Sequence, residues 1–418
     1  MFQNNFLDFN GNLDDLFESK PSEIQTSVKQ RPLVAPQSGS VNAEVALKRI
    51  GHIQAYLSNR FVERQEVIHG AFVAMVARKN MLMVGPPGTA KSDLISSISQ
   101  NISGGSYFQW LLTKFTTPEE VFGPVSLRAL EQDTYKRVTT GKLPEAHFAF
   151  LDECFKGSSA ILNALLTLMS ERLFYNNGSP TKTPLVSVFG ASNEYAEDGE
   201  NLAALFDRFH LRYELSYISE DDSFTAMLAQ SGKGLNKPIP LSLEELMLLQ
   251  QAADQVGVPQ HILDTLLKIR KSLREKEIVP SDRRFVNALS ILKANAVLEG
   301  RGSVDEDDLP ILSNVLWDEI EQKLAVEEVL RQYGDPITGK LDERLAEAKE
   351  ISQNALAKED DPVEGSKAIK ALKSLKKEVD DLKGQTTHPG KLEKIVDASG
   401  VIQEMIKQIN KKCLGIDL

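Results

Sequence analysis

From Ala43 onward, apolar residues recur at helical spacing, with Val45, Leu47, Ile50, Ile53 and Leu57 on one side. A second helical pattern, Glu66 to Ala77, runs into the apolar stretch Met81-Leu82-Met83-Val84, which reads as a buried strand. A helix is expected from Ser92 to about Ile102, and an amphipathic one from Ser158 to Arg172 with Ile161, Leu162, Leu165, Leu166 and Met169 as its stripe. Two more buried strands are expected, Phe148-Ala149-Phe150-Leu151 and Leu185-Val186-Ser187-Val188-Phe189. Tyr135 to Pro144 reads as a hairpin, β-branched alternation broken by Gly141, and Asn177-Gly178 marks a second hairpin from Phe174 to Pro184.

From Ser219 the pattern turns wholly helical. Stripes at Leu243–Ala253, Ile262–Ile269, Phe285–Leu298 and Leu309–Ile320 predict a four-helix lid, residues 219–332, following a core over 43–218. The breaks at Gly334-Asp335-Pro336, Asp360-Asp361-Pro362 and Gly384–Gly390 divide residues 333–418 into three helices forming a bundle or arm. Their stripes are Leu341, Leu345, Ala348 and Ala355, then Ile369 to Leu382, then Leu392 to Ile409. Residues 1–42 read as a flexible tail in which Phe6-Leu7-Asp8-Phe9 and Leu13-Asp14-Asp15-Leu16-Phe17 are candidates for a docking motif, with plain disorder as the alternative.

Composition narrows the function classes. The 418 residues carry a formal net charge of −11, which argues against a large basic groove for nucleic acid. Cys154 and Cys413 are the only cysteines, too few for a disulfide framework, so a reducing cytoplasmic setting is the default. The opening residues lack a basic n-region and an apolar core, and no apolar run approaches membrane-spanning length. The six histidines are scattered without zinc-site spacing.

The candidate chemistry starts at Gly85-Pro86-Pro87-Gly88-Thr89-Ala90-Lys91-Ser92, between a strand and a helix. Backbone N–H groups at such a turn cradle phosphate oxygens, Lys91 reaches the β- and γ-phosphates, and the Ser92 hydroxyl ligates Mg²⁺. Ala90 stands where the general pattern has glycine. Asp152, ending the strand from Phe148, is assigned to Mg²⁺, and Glu153 to general base for the attacking water. Asn193, at the tip of the strand from Leu185, is assigned to the attacking water or γ-phosphate. Arg208, after the apolar helix from Asn201, is the candidate arginine finger, with Arg212 as alternative. Arg283 and Arg284 open a lid helix capped by Ser281 or Asp282, where cations oppose the helix dipole. An anion in front of them would explain the placement, so Arg283 is assigned to the γ-phosphate, with Arg284 second. No Asn-Lys-x-Asp guanine motif accompanies the phosphate loop, which favours ATP.

Together with Thr117-Pro118-Glu119-Glu120-Val121-Phe122-Gly123-Pro124, Leu143-Pro144-Glu145-Ala146, Phe206-Asp207-Arg208-Phe209 and Ser281-Asp282-Arg283-Arg284-Phe285, these segments resemble the MoxR family of AAA+ ATPases, closest to its RavA branch. The likeness covers about residues 43–330, and that branch commonly carries alanine at the position of Ala90. It implies an α/β class fold: an AAA+ P-loop αβα domain with a parallel sheet, an all-helical lid and a hexameric ring with ATP and Mg²⁺ at subunit interfaces. It further implies the roles given above for Lys91, Ser92, Asp152, Glu153, Asn193, Arg208 and Arg283, and both hairpins at the ring's surface or pore. Chaperone-like remodelling of a protein client, beside a von Willebrand factor A domain partner, is the function implied. A nucleotide-switched scaffold with incidental turnover is the alternative. The purely helical pattern after residue 332 departs from the RavA branch, which carries a β-rich module there.

Overall fold

The computed structural model describes residues 42–195, 200–230, 236–334, 336–357, 362–385 and 389–413. The docking motif expected within residues 1–42 lies outside them. Helices α1 (Ala43–Arg60) and α2 (Gln65–Ala77) lead into β1 (Met81–Val84), followed by α3 (Lys91–Gln100), the two-residue β2 (Ile102–Ser103) and β3 (Tyr107–Leu111). After the short α4 (Pro118–Phe122) and α5 (Leu127–Leu130) come β4 (Phe148–Asp152), α6 (Ser159–Glu171), β5 (Leu173–Asn176), β6 (Ser179–Lys182) and β7 (Ser187–Ser192). Then follow α7 (Glu200–Asp207) and β8 (Leu211–Glu214).

Five strands form one sheet in the order β3-β4-β7-β1-β8, and every pairing in it is parallel. The strands are apolar on both faces because helices cover both. Met81, Met83, Phe148, Phe150, Phe189 and Leu211 point into one core with α1 and α2. Their alternates Leu82, Val84, Ala149, Leu151 and Val188 point into the other with α6. This period-two division makes a three-layer αβα core.

Helices α8 (Asp221–Gln230), α9 (Leu243–Gln255), α10 (Gln260–Glu275), α11 (Asp282–Leu298) and α12 (Lys323–Gly334) follow. Helices α9 to α12 share the hydrophobic core of α1 and α2, so the lid is packed onto that face of the sheet domain. A short parallel ladder, β9 (Leu241–Ser242) against β2, adds a strand to a region whose pattern reads as purely helical. Leu309–Ile320 is not the fourth lid helix. A 3₁₀ segment, Glu306–Asn314, contains Pro310, which lacks an N–H, and irregular backbone carries the chain from there to Ile320. The helix that completes the lid is α12.

Helices α13 (Pro336–Leu356), α14 (Pro362–Asp381) and α15 (Pro389–Cys413) pack on one another around Leu341, Ala348, Leu372, Val379, Ile395 and Ile402. Their breaks fall where proline and glycine interrupt the stripes.

One expected hairpin forms and the other does not. Strands β5 and β6 pair antiparallel with Asn176 opposite Ser179. Their two-residue turn, Asn177-Gly178, has positive φ at both positions, the type I′ geometry that matches strand twist. Between Tyr135 and Pro144 there is no hairpin about Gly141. Instead Arg137 bridges back to Val125, Ser126 N–H donates to Lys136 O at 2.8 Å and Val138 N–H donates to Pro124 O at 2.8 Å. Helix α5 sits in the resulting loop. Gly123 allows this closure: a Cβ there would lie 1.9 Å from Val138 O, and its φ of +99° suits glycine.

His210, just before β8, has a buried Nδ1 without a hydrogen-bond partner among the described residues. Burial, the largest cause, pushes its pKa down to about 3, whereas an unfolded imidazole titrates near about 6.5. As pH falls, the unfolded chain takes up this proton first. The stability is fully present above about pH 6.5 and is lost on acidification, by up to about 1.4 kcal/mol per pH unit. His210→Gln should therefore lose less stability than the parent between about pH 7 and about pH 5. Urea midpoints with the same pH dependence in both proteins would exclude His210 as a source of acid sensitivity.

Candidate functional site

The carboxyl ends of β1, β7 and β4 lie side by side, and the loop after each delivers polar side chains to one place. Residues 85–90 turn from β1 into α3, whose first-turn N–H groups face the loop. Ala90 caps that helix in the left-handed region, with φ 63° and ψ 24°. A Cβ there costs about 1–2 kcal/mol, so Ala90 is held by its surroundings where glycine would sit without strain.

Lys91 is buried at the start of α3. Its Nζ donates to Gly85 O at 2.6 Å, Pro86 O at 3.1 Å and Asn193 Oδ1 at 3.0 Å. Burial holds its pKa below the usual lysine value, against the opposing charges of Asp152 and Glu153. Ser92 Oγ donates to Asp152 Oδ2 at 3.0 Å, and Asp152 Oδ1 accepts from Glu153 N–H at 3.0 Å. Glu153 adopts a left-handed φ of 49° at the end of β4, a conformation that persists only where neighbouring contacts enforce it. Its Oε1 accepts a short hydrogen bond from Asn193 Nδ2. Its Oε2 is buried without a hydrogen bond among the described residues, although Lys156 Nζ lies 3.2 Å away as an ion pair.

Lys91, Asn193 and Glu153 thus form one chain of hydrogen bonds, beside the Ser92–Asp152 pair. A hydroxyl and a carboxylate in contact are a hard oxygen donor set suited to Mg²⁺. A buried ammonium resting on backbone carbonyls can transfer to phosphate oxygens, and Glu153 Oε2 retains acceptor capacity for a water proton. The residues present fit a magnesium–nucleotide complex.

A cavity of about 500 Å³ adjoins the loop, lined among others by Phe61, Arg64, Gly88, Ala90, Tyr217 and Phe224. Tyr217 donates from its hydroxyl to Pro87 O at 3.1 Å, and Glu63 accepts from Ser219 N–H at 2.9 Å and Glu220 N–H at 3.0 Å, tying the strap before α8 across this side. The cavity has room for a nucleoside beside the phosphate loop. Sequence reasoning missed it, because its walls come from three separated segments with no spacing in common.

Both candidate arginines lie at the other end of the sheet. The Arg208 carbonyl accepts from Asn80 Nδ2 at 2.9 Å, and Asn80 directly precedes β1 while Gly85 follows it. Five residues of extended chain separate those positions by about 16 Å. Arg283 is exposed on the first turn of α11; one turn further on, Asn287 accepts from Lys79 Nζ at 2.9 Å, again ahead of β1. The structure brings Lys91, Ser92, Asp152, Glu153 and Asn193 together and leaves Arg208 and Arg283 apart from them. The alternatives are committed elsewhere. Arg212 is fully buried and donates to the Phe206, Phe209 and Trp317 carbonyls; Arg284 is buried and donates to Val315 O, Trp317 O, Asp207 and Asp318. Ser281, not Asp282, supplies the α11 cap through Arg284 N–H.

The model of the MoxR domain in MoxR–vWA–β-propeller ternary systems matches residues 48–250, and an AAA lid model matches residues 261–330. A Methanocaldococcus jannaschii protein of uncharacterized function is 37% identical over 309 residues, covering 74% of this chain and 79% of its own. This chain belongs to the MoxR family of AAA+ proteins. The chaperone MoxR1 of Mycobacterium tuberculosis is 20% identical over 330 residues, covering 72% of this chain and 86% of that protein. A crystallised Cytophaga hutchinsonii protein described as a candidate ATPase shares the fold, with a TM-score of 0.57 at 16% identity over 69% of this chain and 95% of its own. Membership gives the phosphate loop and lid of this MoxR protein an ATPase-type module and implies binding of ATP with Mg²⁺.

Lys91→Ala should weaken binding of a fluorescent ATP analogue by about 10²-fold, the loss of two charge-assisted hydrogen bonds. Asn193→Ala should keep binding within a few-fold while lowering phosphate release by about 10²-fold. Equal losses of binding and turnover in Asn193→Ala would remove it from the water-orienting role.

Proposed function

We propose that this MoxR protein is a Mg·ATP-hydrolysing remodeller that works as a head-to-tail ring, each nucleotide site completed by the neighbouring subunit. The observation that carries this reading is the placement of Arg208 and Arg283 at the sheet end opposite their own phosphate loop. A site holding a lysine, a metal-binding pair, a base and a polar amide still lacks a cation for the charge that develops on the transferring phosphoryl. A heterologous interface repeated around a ring presents one subunit's amino-edge arginines to the next subunit's carboxyl-edge site.

In this mechanism Lys91 moves from the Gly85 and Pro86 carbonyls to phosphate oxygens, and the amides of residues 88–92 hold the remaining phosphate charge. Ser92 and Asp152 would hold Mg²⁺, which would supply positive charge against the phosphate oxygens. Glu153 takes the proton of the attacking water, and Asn193 keeps that carboxylate and the water aligned. Arg208 of the neighbour stabilises the transition state, and Arg283 contacts the γ-phosphate. The residues from 219 to 332 act as the lid and those from 333 to 418 as an arm for partners.

The ternary systems named by the family model favour a von Willebrand factor A domain partner, with a β-propeller protein as third member. The chaperone name of the mycobacterial relative favours remodelling of a protein client. The composition favours a cytoplasmic protein without a nucleic-acid substrate.

Light scattering with and without Mg·ATP, with phosphate release read on the same samples, tests the reading. A ring of about six subunits, loss of turnover in Arg208→Ala with binding retained, and an assembled but inactive Glu153→Gln are expected. A monomer whose turnover is unaffected by Arg208→Ala would overturn the in-trans mechanism. Assembly and binding with negligible turnover in the parent would favour a nucleotide-switched scaffold.

A further inference from the structure

The residue before the candidate finger has an unusual environment. Asp207 ends α7, and its carboxylate is divided between two arginines from different parts of the fold. Oδ1 accepts from Arg284 Nη2, on the first turn of α11, at 2.7 Å. Oδ2 faces Arg208 Nη1 at 3.4 Å. Arg208 is otherwise held by Ser170 Oγ, 2.8 Å from its Nε, and by the Ala204 carbonyl at 3.4 Å. Arg284 in turn shares Asp318 with Arg212, at 2.9 and 3.5 Å. Both of these arginines also donate to the Trp317 carbonyl, and the Arg212 guanidinium lies 3.9 Å from the centre of the Phe206 ring. The Phe206–Phe209 segment is therefore clamped to the lid by two buried guanidiniums, and Asp207 is where that clamp meets the half-buried Arg208 side chain.

We infer that Asp207 is a positioning residue: it couples the lid to the arginine finger, so the orientation of α11 sets where the Arg208 guanidinium points. The coupling rests on the in-trans reading of Arg208 given above. The geometry supplies a route for it. The Arg284 hydrogen bond is the short one and comes from a buried side chain, so it fixes the carboxylate in space. The Arg208 contact is longer and partly exposed, so it can be exchanged for a phosphate oxygen across an interface. A rotation of the lid that drags Arg284 moves the carboxylate and with it the resting place of the finger. Burial would raise the Asp207 pKa, but the hydrogen bond from Arg284 and the charges of Arg284, Arg212 and Arg208 bring it below the usual carboxylate range, so both oxygens stay available as acceptors.

Asp207→Asn tests the coupling, because the amide oxygen can still accept from Arg284 while the charge facing Arg208 is lost. Steady-state hydrolysis should show kcat reduced by about 10²-fold, the cost of misplacing a catalytic group by about 1 Å, with KM for ATP within about twofold. Asp207→Glu, which keeps the charge, should recover part of the loss. Mixing separates positioning from damage to the subunit's own fold. Asp207→Asn subunits retain an intact phosphate site, and Glu153→Gln subunits retain an intact finger, so a mixture of the two should turn over faster than the sum of its parts. A mixture of Arg208→Ala with Glu153→Gln should do the same.

Wild-type kcat in Asp207→Asn, with activity lost in Arg208→Ala, would overturn the coupling and leave the in-trans mechanism standing. So would a mixture with Asp207→Asn that recovers nothing while the one with Arg208→Ala recovers. If the Arg208→Ala mixture also fails to recover, the in-trans mechanism falls and the coupling falls with it.

Discussion

The parallel pairing of β1, β7 and β4 is the constraint on which the rest of the molecule depends. Val84 is level with Ser192 across β1 and β7, and Leu151 with Gly190 across β7 and β4. That register sets Lys91, Asn193 and Glu153 within hydrogen-bond reach of one another although they are far apart in the chain. A slip of one residue would send every strand's apolar set to the wrong layer, so the two cores enforce the register that the site requires. The site borrows its precision from hydrophobic burial on both sides of the sheet.

The same sheet separates two kinds of charge. Its carboxyl edge gathers Lys91 with two carboxylates and an amide, and its amino edge carries Arg208 and, through the lid, Arg283. Within one chain these groups lie at opposite ends of the sheet, and in the proposed ring a repeated head-to-tail contact would bring unlike edges together. Between them sits the buried pair Arg212 and Arg284. Burying two guanidiniums is expensive unless their donors are satisfied, and here carbonyls at Phe206, Phe209, Val315 and Trp317, with Asp207 and Asp318, satisfy them. The result is a lid that cannot shift relative to the 206–209 segment without breaking a charged network.

Local sequence carried a large part of this. The phosphate loop is a contiguous motif, and its turn conformation, the cap at Ser281 and the type I′ turn at Asn177-Gly178 depend on residues within a few positions of one another. Buried strands and helical stripes are likewise legible, because a period of two or of about 3.6 in apolar residues reflects which sides are covered. The proline and glycine breaks that divide α13, α14 and α15 belong to the same class.

Tertiary structure decided whatever depends on partners distant in the chain. The region around Gly141 has the composition of a hairpin, but Arg137 pairs with Val125 because Gly123 lets Val138 O approach. The stripe from Leu309 to Ile320 has helical spacing, but Pro310 and two buried arginines competing for the Trp317 carbonyl leave no regular α-helix there. The choice between adjacent arginines was closed to sequence reasoning for the same reason. Arg283 and Arg284 are chemically alike, and only the presence of Asp207, Asp318 and two carbonyls beside one of them buries it and leaves the other exposed. Sequence determined the elements and the site's local chemistry; the fold decided which charges meet, because the energy of a charge depends on what surrounds it in space.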